Sequence, residues 1–330
     1  MIRLGIVGRN FVVDWMLAAA EQVPELHPVA VCSRAEATGR EFAARYRLPL
    51  VFTSLEEMAE SPEVDAVYLA SPISCHYEQA LLFLRHHKHV LCEKPVTTNA
   101  REARALVKAA QAEGVVFLEA MRLVFDDALP IIRENLPRIG RLRRATFEFT
   151  QYSSRYDRIR AGETGINAFD PALSNGAVMD MGCYCVHALV TLFGRPDSVA
   201  AHAVKLESGF EASGIILMGY PGFTAEAVYS KIARQIAPTT LLGEDGAILL
   251  DDINHIKRIW LQPRKGEPED LGYREKLPNN MMYELREFCG CVARGEQPVR
   301  RNENSILTME ILDEARRQTH TVFPDDAREI

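Results

Sequence analysis

Short apolar runs alternate with helix-forming stretches through the first 120 residues, and this order restricts the possible folds more than any other feature. The runs include Ile2–Val7, His27–Cys32 and Val64–Ala70, and a stretch with helical periodicity follows each of them. Parallel strands need long crossover connections, which are usually helices. The order therefore predicts an N-terminal Rossmann-type α/β domain with a doubly wound parallel sheet.

The second half of the chain has longer apolar segments that partly alternate with polar residues. They lie at about 143–152, 199–206, 214–219, 223–230 and 238–250, and helical segments at about 281–293 and 305–319 close the chain. Alternation is typical of strands with one buried face, and 243–246 has the composition of a hairpin turn. We expect a large, mostly antiparallel open sheet. We place the first domain at residues 1–121 and the second at 122–330.

A glycine-containing turn joins the first strand to the first helix. Gly8 stands at the first glycine position of the dinucleotide-binding fingerprint, with Asn10 and Val13 at the second and third. The amides and dipole of a helix N-terminus bind phosphate, and Asn is a good helix cap. We assign Gly8, Asn10, Phe11 and Val12 to a cofactor site. The fingerprint is incomplete, so an ordinary strand–helix turn remains the alternative.

The end of the second strand bears on the choice of cofactor. Ser33 and Arg34 follow the strand, and no acid stands between Val31 and Arg34. An acid at this point holds the ribose hydroxyls of NAD, whereas an arginine suits the 2′-phosphate of NADP. The sequence therefore favours NADP, with NAD possible. An exposed arginine at the start of the next helix is the other interpretation.

Two further strands end in residues that point to the same edge of the sheet. Ser71-Pro72 follows one strand and Glu93-Lys94-Pro95 follows another. Ligands of doubly wound sheets bind at the carboxyl ends of the strands, so Lys94 is the candidate for proton transfer. Taken alone, Glu-Lys-Pro is more often a solvated loop. We assign five residues of this edge to cofactor binding: Ser71, Pro72, His76, Glu93 and Lys94.

Composition excludes several classes of protein. A formal net charge of −7 argues against nucleic acid as a main partner, and no run approaches the roughly 18 apolar residues of a membrane helix. Seven cysteines without a secretory context indicate free thiols in a reducing compartment, which favours the cytoplasm. The pairs Cys183-x-Cys185 and Cys289-x-Cys291 are spaced too closely for a usual structural zinc site, so we expect no metal.

Several motifs together resemble the GFO/IDH/MocA family, named for glucose–fructose oxidoreductase, inositol dehydrogenase and MocA. The chain is most similar to its dihydrodiol and sugar dehydrogenase branch, which has tyrosine four residues after an aspartate where inositol dehydrogenases have histidine. Asp180 and Tyr184 keep that spacing. The motifs are residues 5–13, Ala70-Ser71-Pro72 with His76-Tyr77, residues 89–95, Glu119-Ala120-Met121-Arg122 and residues 176–184.

The resemblance implies an NAD(P)-dependent dehydrogenase or reductase acting on the CH–OH group of a sugar, cyclic polyol or related hydroxy/keto compound. It implies that Lys94, Tyr184 and Asp180 are catalytic and that the Lys94–Pro95 peptide bond is cis. A lysine and a tyrosine placed together shift each other's pKa, so either can serve as acid or base. A core tyrosine is the alternative for Tyr184. For substrate binding we expect Arg122, Arg155 and Asp180.

Two other function classes stay open. One is a non-enzymatic dinucleotide- or ligand-binding regulatory protein of the same fold, and the other is a protein–protein scaffold. The presence of both Lys94 and Tyr184 favours the enzyme. A bare apolar sheet face would otherwise meet water, so we expect a homodimer or higher homo-oligomer through the C-terminal sheet.

Overall fold

A computed structural model describes residues 1–274 and 279–330, and the contacts within it group the chain into two units. The first unit begins with Met1–Phe125, and the second begins at Asp126 and includes Leu307–Glu329. The division into domains at residues 121 and 122 stays a prediction.

Six parallel strands form the sheet of the first unit, in the order β3-β2-β1-β4-β5-β6. The order reverses between β1 and β4, which is the point where doubly wound sheets bind their ligands. The predicted parallel sheet is therefore confirmed. Its strands are β1 (Ile2–Val7), β2 (Leu26–Cys32), β3 (Leu50–Phe52), β4 (Ala66–Leu69), β5 (His89–Glu93) and β6 (Phe117–Ala120).

Helices connect these strands, and two of them begin earlier than their apolar periodicity indicates. The first helix starts at Phe11, directly after the cap Asn10, and the fourth starts at Ile73, directly after Pro72. In both cases the start is set by the residue that precedes the helix, which periodicity does not detect. The helices are α1 (Phe11–Ala20), α2 (Glu36–Tyr46), α3 (Leu55–Glu60), α4 (Ile73–Arg85) and α5 (Ala100–Glu113).

Eight strands form the sheet of the second unit, in the order β14-β13-β12-β11-β7-β10-β9-β8. Among the described residues of this sheet only β7 and β10 pair in parallel, so the prediction of a mostly antiparallel sheet is confirmed. The turn at Glu244-Asp245 joins β11 to β12 as predicted. The strands are β7 (Leu142–Thr150), β8 (Ser198–Lys205), β9 (Glu211–Tyr220), β10 (Phe223–Ser230), β11 (Thr239–Gly243), β12 (Gly246–Leu250), β13 (Ile259–Pro263) and β14 (Glu269–Asp270).

The two faces of this sheet differ. Helices α6 (Ala128–Asn135), α7 (Tyr156–Arg160) and α8 (Cys183–Phe193) belong to the same unit, and α8 packs against β7 and β10. Every second side chain of these strands points to that face and is buried, as Phe147 and Tyr229 are. Large apolar side chains are exposed elsewhere on the strands: Val204, Ile215, Leu217 and Leu242.

The C-terminal helices are divided between the units. Helix α9 (Met281–Arg294) groups with the first unit, and its Met281, Leu285 and Phe288 join the buried cluster of that unit. Helix α10 (Val299–Gln318) begins six residues before the predicted start at about 305. Within the described ranges, no helix is both long enough and apolar enough to cross a bilayer.

Candidate active site

The turn after β1 leaves no room for a side chain. Gly8 has a φ of +113°, and a Cβ at this position would lie 2.5 Å from the carbonyl oxygen of Ala70 at the end of β4. Glycine alone adopts such a conformation at little cost. The bare backbone at the switch point is what a dinucleotide pyrophosphate requires, so the turn fits a nicotinamide dinucleotide.

Asn10 replaces the second glycine of the fingerprint by capping α1. Its φ of −86° is extended, so the left-handed conformation that asparagine tolerates is not used. Its Oδ1 accepts hydrogen bonds from the amides of Val12 (3.0 Å) and Val13 (3.3 Å), and its Nδ2 donates to the Ala70 carbonyl (3.0 Å). Because the cap already engages these two amides, a phosphate here would bind the amides that precede them, which include that of Phe11.

The end of β2 presents one buried hydroxyl and one exposed guanidinium. Ser33 is 4% exposed, and its hydroxyl donates to the Ala35 carbonyl (3.0 Å) and lies 3.1 Å from that of Thr38. Arg34 is exposed. Ser33 therefore shapes the loop, while Arg34 carries the charge that a 2′-phosphate would need.

A second guanidinium reaches the first turn of α2 from the glycine turn. Nη1 of Arg9 donates to the carbonyl of Thr38 (3.3 Å). The first acid of α2, Glu36, is paired with Arg40 one turn along the helix (2.5 Å). Positive charge from Arg34 after β2 and from Arg9 beside the first turn of α2 thus favours an anionic group on the ribose.

His76 links the loops that follow β4 and β5. It is buried, and its ring nitrogens lie 3.0 Å from the carbonyl oxygen of Ser71 and 3.1 Å from that of Pro95. Burial lowers the pKa of His76, although the two carbonyls oppose this change. Its position as a brace between two ligand-edge loops was not anticipated, and its cofactor contact stays a prediction. The Lys94–Pro95 peptide bond is cis, as predicted.

A half-buried and a buried carboxyl group, those of Glu93 and Glu119, hold the segment that carries Lys94. Glu93 accepts hydrogen bonds from the Tyr68 hydroxyl and from the amide of Lys94 (3.2 Å). Burial raises the pKa of Glu93, whereas the hydrogen bond from Tyr68 and the charge of Lys94 lower it. The carboxyl group assigned to the cofactor therefore bonds to Tyr68 and to its own backbone segment.

Glu119 on β6 holds the other side of this segment. It accepts hydrogen bonds from the amide of Val96 (2.9 Å) and from the hydroxyl of Ser305 (2.5 Å). Burial raises its pKa to about 7, partly offset by these two hydrogen bonds and by Lys94, while Glu93 adds a like charge. Glu119 therefore changes its charge near neutral pH.

A third carboxyl group, Glu284 on α9, is fully buried. Neither of its oxygens has a hydrogen-bond partner within residues 1–274 and 279–330. Burial raises its pKa well above the usual range, Glu93 and Glu119 raise it further, and Arg122 opposes them. Burial and the two acidic neighbours therefore favour the protonated form of Glu284. Sequence reasoning missed it, although it shares the buried helix face with Met281, Leu285 and Phe288.

In the second unit, Asp180 lies in a single π turn, Val178–Gly182, that leads into α8. Such wide turns are rare and occur often at functional sites. The turn is held at its start by Glu211 of β9, which accepts a hydrogen bond from the amide of Val178 (3.0 Å). Burial raises the pKa of Glu211 to about 7, opposed by the Val178 amide and Tyr229.

A buried lysine binds Asp180. Nζ of Lys231 lies 2.9 Å from Oδ2 of Asp180 and 2.8 Å from the carbonyl oxygen of Ala168. The lysine side chain is 5% exposed and that of Asp180 is 38% exposed. Sequence reasoning missed Lys231, because a lysine directly after a strand is usually solvated and nothing in its neighbourhood marks it as buried.

Tyr184 lies in the first turn of α8, four residues after Asp180. It is buried, and its ring packs edge-to-face against Phe149 of β7 at 5.4 Å between centroids. Arg155 is exposed in the loop before α7, and Nη1 of Arg122 in the first unit donates to Asn280 (3.4 Å). The roles assigned to these residues stay predictions.

Comparison with known proteins decides the family. The family model of oxidoreductases with an NAD-binding Rossmann fold matches residues 2–121, and the GFO/IDH/MocA C-terminal domain model matches residues 136–249. The chain belongs to the GFO/IDH/MocA oxidoreductase family. This confirms the predicted resemblance and the predicted class of enzyme.

Relatives within the GFO/IDH/MocA family span the chain almost completely. It is 41% identical to scyllo-inositol 2-dehydrogenase (NADP(+)) IolU of Bacillus subtilis, with 99% of both chains covered. It is 31% identical to mouse trans-1,2-dihydrobenzene-1,2-diol dehydrogenase, again with 99% of both covered. The solved 3-ketoreductase KijD10 of Actinomadura kijaniata has the same fold, with a TM-score of 0.85, 22% identity and coverage of 96% of this chain and 98% of that one.

The two GFO/IDH/MocA models divide the candidate residues between them. The Rossmann model covers Gly8, Arg34 and Lys94, and the C-terminal model covers Asp180 and Tyr184. Lys231, which no sequence motif indicated, also lies within the C-terminal model. The candidate residues for cofactor binding and those for substrate chemistry therefore lie in different parts of the chain.

Proposed function

We propose that the protein is an NADP-dependent dehydrogenase or reductase acting on a CH–OH group of a sugar, cyclic polyol or related hydroxy/keto compound. One observation carries this proposal: Lys94 follows β5 at the ligand edge of the same sheet whose switch point holds the bare Gly8 turn. Proton transfer and cofactor binding are thus assigned to adjacent strand ends. Similarity to IolU, which is named as an NADP-dependent inositol dehydrogenase, supports the substrate class.

The residues of the first unit would hold the cofactor. The Gly8 turn would hold the pyrophosphate, and Arg34 with Arg9 would bind the 2′-phosphate, which favours NADP over NAD. Ser71 and Pro72 at the end of β4 would contribute to the same cofactor site. When bound, the nicotinamide donates or accepts a hydride at the substrate carbon.

Lys94 and Tyr184 would move the proton at the substrate oxygen. A lysine with a pKa near 10.4 and a tyrosine near 10 are each poor bases at neutrality. If both residues act on one substrate oxygen, the protonated lysine favours the phenolate form of the tyrosine. The pair can then accept a proton from the substrate or return one to it. Asp180, Arg122 and Arg155 would contact the hydroxyl groups of the substrate.

We further propose that the protein acts as a homo-oligomer in the cytoplasm. The exposed apolar side chains of β8, β9 and β11, among them Val204, Ile215 and Leu217, support association through this sheet. Seven free cysteines suit a reducing compartment. Sedimentation of the wild type and of an Ile215→Lys, Leu217→Lys double variant tests the assembly, since the lysines should give monomers. An unchanged sedimentation coefficient would reject the interface.

The function is tested with purified protein and a panel of inositols, aldoses and trans-diols, using NADPH absorbance in both directions. We expect turnover of at least one compound, and loss of that turnover in Lys94→Ala. If NADPH binds but no compound on the panel is turned over, the protein is better explained as a regulatory dinucleotide-binding protein of this fold.

A further inference from the structure

Lys231 is fixed in place at the end of β10. Its amide donates to the carbonyl of Ala212 (2.9 Å), and its own carbonyl accepts a hydrogen bond from the amide of Ser153 (2.9 Å). Its side chain is 5% exposed. The position of the ammonium is therefore set by the ends of strands and is not free to follow solvent.

The surroundings of this ammonium are built to hold a charge. A buried cation is costly unless it is paired and hydrogen-bonded. The ammonium donates to Asp180 (2.9 Å) and to the carbonyl of Ala168 (2.8 Å), and it lies 5.3 Å and 5.7 Å from the ring centroids of Phe169 and Phe210. Aromatic faces attract cations at such distances.

Asp180 has the opposite exposure. Its carboxylate is 38% exposed although one oxygen is bound to a buried ammonium. A carboxylate that is partly exposed to water is stable without a buried counter-charge. Stabilising Asp180 therefore does not explain why Lys231 is buried. The arrangement instead fixes one carboxylate oxygen and so sets the orientation of the other.

We propose that Lys231 is a positioning residue that holds the Asp180 carboxylate ionised and in one orientation, so that Asp180 accepts a hydrogen bond from a hydroxyl of a neutral polyhydroxylated substrate. This inference rests on the proposed function, in which Asp180 contacts substrate. Because the charge of Lys231 is already matched by Asp180, this lysine does not serve as a site for a substrate carboxylate or phosphate. Asp180 takes no part in proton transfer, which belongs to Lys94 and Tyr184.

Three variants test the inference: Lys231→Met, Asp180→Asn and the two combined. Lys231→Met keeps the length of the side chain and removes the charge. We expect the KM for substrate to rise by about 10- to 100-fold with a smaller change in kcat, because a contact present before and during the reaction affects mainly KM. The Kd for NADPH should stay within twofold. The double variant should be no worse than Asp180→Asn alone, since Lys231 acts through Asp180.

The pH profile gives a second readout. Without the ammonium, Asp180 should protonate at higher pH, so the acidic limb of kcat/KM moves upward in Lys231→Met. The other titratable groups around Asp180 and Lys231 are unchanged in that variant: Glu211 of β9, Tyr229 of β10, and Cys183, Tyr184 and Cys185 of α8. The same substitution in the Asp180→Asn background measures what these groups contribute to the shift, because Asp180 cannot titrate there.

Lys88→Met is the matched control. Lys88 is a half-buried lysine of the first unit whose ammonium donates to the carbonyls of Ser61 and Val64, both at 2.8 Å. We expect it to lower the denaturation midpoint without changing the substrate KM or the pH profile. Asp180→Asn should also lower the midpoint, because it leaves a buried ammonium without its carboxylate, and adding Lys231→Met should restore it.

Two outcomes would overturn the inference. One is an unchanged substrate KM and pH profile in Lys231→Met. The other is a further loss of kcat/KM when Lys231→Met is added to Asp180→Asn, equal to its loss in wild type, which would mean that the lysine acts independently of Asp180. Should Lys231→Met not fold, the double variant is compared with Asp180→Asn: an equal kcat/KM supports the inference, and a lower kcat/KM would mean that the lysine acts independently of Asp180. Absence of turnover in the wild type would reject the proposed function instead.

Discussion

In each unit a buried glutamate accepts a backbone hydrogen bond beside a candidate site residue, but that residue is a cation in the first unit and a carboxylate in the second. In the first, buried Glu119 accepts the amide of Val96 beside the Lys94–Pro95 bond. In the second, buried Glu211 accepts the amide of Val178 in the turn that carries Asp180. Burial raises the pKa of both glutamates to about 7.

The charged neighbours of the two glutamates differ. Glu119 has another acid, Glu93, as a neighbour that raises its pKa, whereas Glu211 has Lys205 and Arg316 as neighbours that lower it. The candidate cation Lys94 thus has the acids Glu93 and Glu119 as charged neighbours. The candidate carboxylate Asp180 is instead paired with the buried cation Lys231. We infer that charge in the first unit responds to pH near neutrality, while that of Asp180 is fixed by its partner.

The largest expected effect comes from removing the candidate cation of the first unit. Lys94→Ala should lower kcat by about 10²- to 10⁴-fold, the usual contribution of a positioned proton-transfer group. Tyr184→Phe in the second unit should also lower kcat, with little change in NADPH affinity. If the two act as one unit, the double variant should be little worse than the poorer single variant.

Steady-state kinetics of the three variants in the same buffer check this prediction. Multiplication of the two single losses in the double variant would show that Lys94 and Tyr184 act separately. A wild-type rate in Tyr184→Phe would show that Tyr184 is a core tyrosine that packs on Phe149 and takes no part in proton transfer.

The pH dependence of stability tests the two buried glutamates. Each glutamate has a folded-state pKa of about 7, against an ordinary value of 4.5. The folded protein therefore binds more protons than the unfolded chain between these values, and stability falls as pH rises from about 4.5 to about 7. Each group contributes a loss of about 3 kcal/mol over this window. Glu119→Gln and Glu211→Gln should each flatten it.

Urea unfolding of wild type and both variants at several pH values measures this effect. The comparison of the units is sharpened if Glu119→Gln also shifts the pH profile of kcat and Glu211→Gln does not. A wild-type stability that rises from pH 5 to pH 7 and is unaffected by either substitution would contradict the prediction.

Nucleotide preference should depend on the first unit alone. NADPH should bind at least several-fold more tightly than NADH, because Arg34 pairs with the 2′-phosphate. Arg34→Asp should erase or reverse this preference. Arg47→Asp, at the opposite end of α2, is the matched control and should leave it unchanged. Fluorescence titration measures both nucleotides, and equal Kd values in the wild type would refute the prediction.

The smallest expected effect concerns the cap of α1. Asn10→Ala should cost about 1 kcal/mol of stability, the usual worth of a cap, and should weaken NADPH binding because the turn loses its bond to Ala70. Ser54→Ala removes a similar cap from α3, where the Ser54 hydroxyl accepts hydrogen bonds from the amides of Glu56 (3.1 Å) and Glu57 (3.3 Å). It should lower stability alone. Equal NADPH affinity in Asn10→Ala and Ser54→Ala would show that Asn10 does not contribute to cofactor binding.

The sequence was sufficient for the features that depend on local order. The alternation of strands and helices determined the parallel sheet, and the position of Gly8 identified its ligand edge. It was also sufficient for the cap Asn10, because capping depends on residues two and three positions away. The short strands β13 and β14 were missed because their few residues carry no clear alternation.

The features that depend on distant contacts were not predictable. The apolar face of α9 shows that the helix is buried but not which core receives it. Glu284 was hidden for a related reason: an acid on an apolar helix face is noticed only when the core that buries that face is known. Lys231 became visible only when the chain brought Asp180, 51 residues away, to its ammonium.

The π turn at Val178–Gly182 makes the length of this segment as important as its composition. A π turn contains one residue more than an α-helical turn. Deleting Met181 or Gly182 would let the segment close as a regular helix and would rotate everything before it by about 100° relative to α8. Asp180 would then leave Lys231 while Tyr184 stayed against Phe149. Engineers who vary this protein should therefore treat a single-residue deletion in the turn as a change of geometry, whereas a substitution changes one side chain.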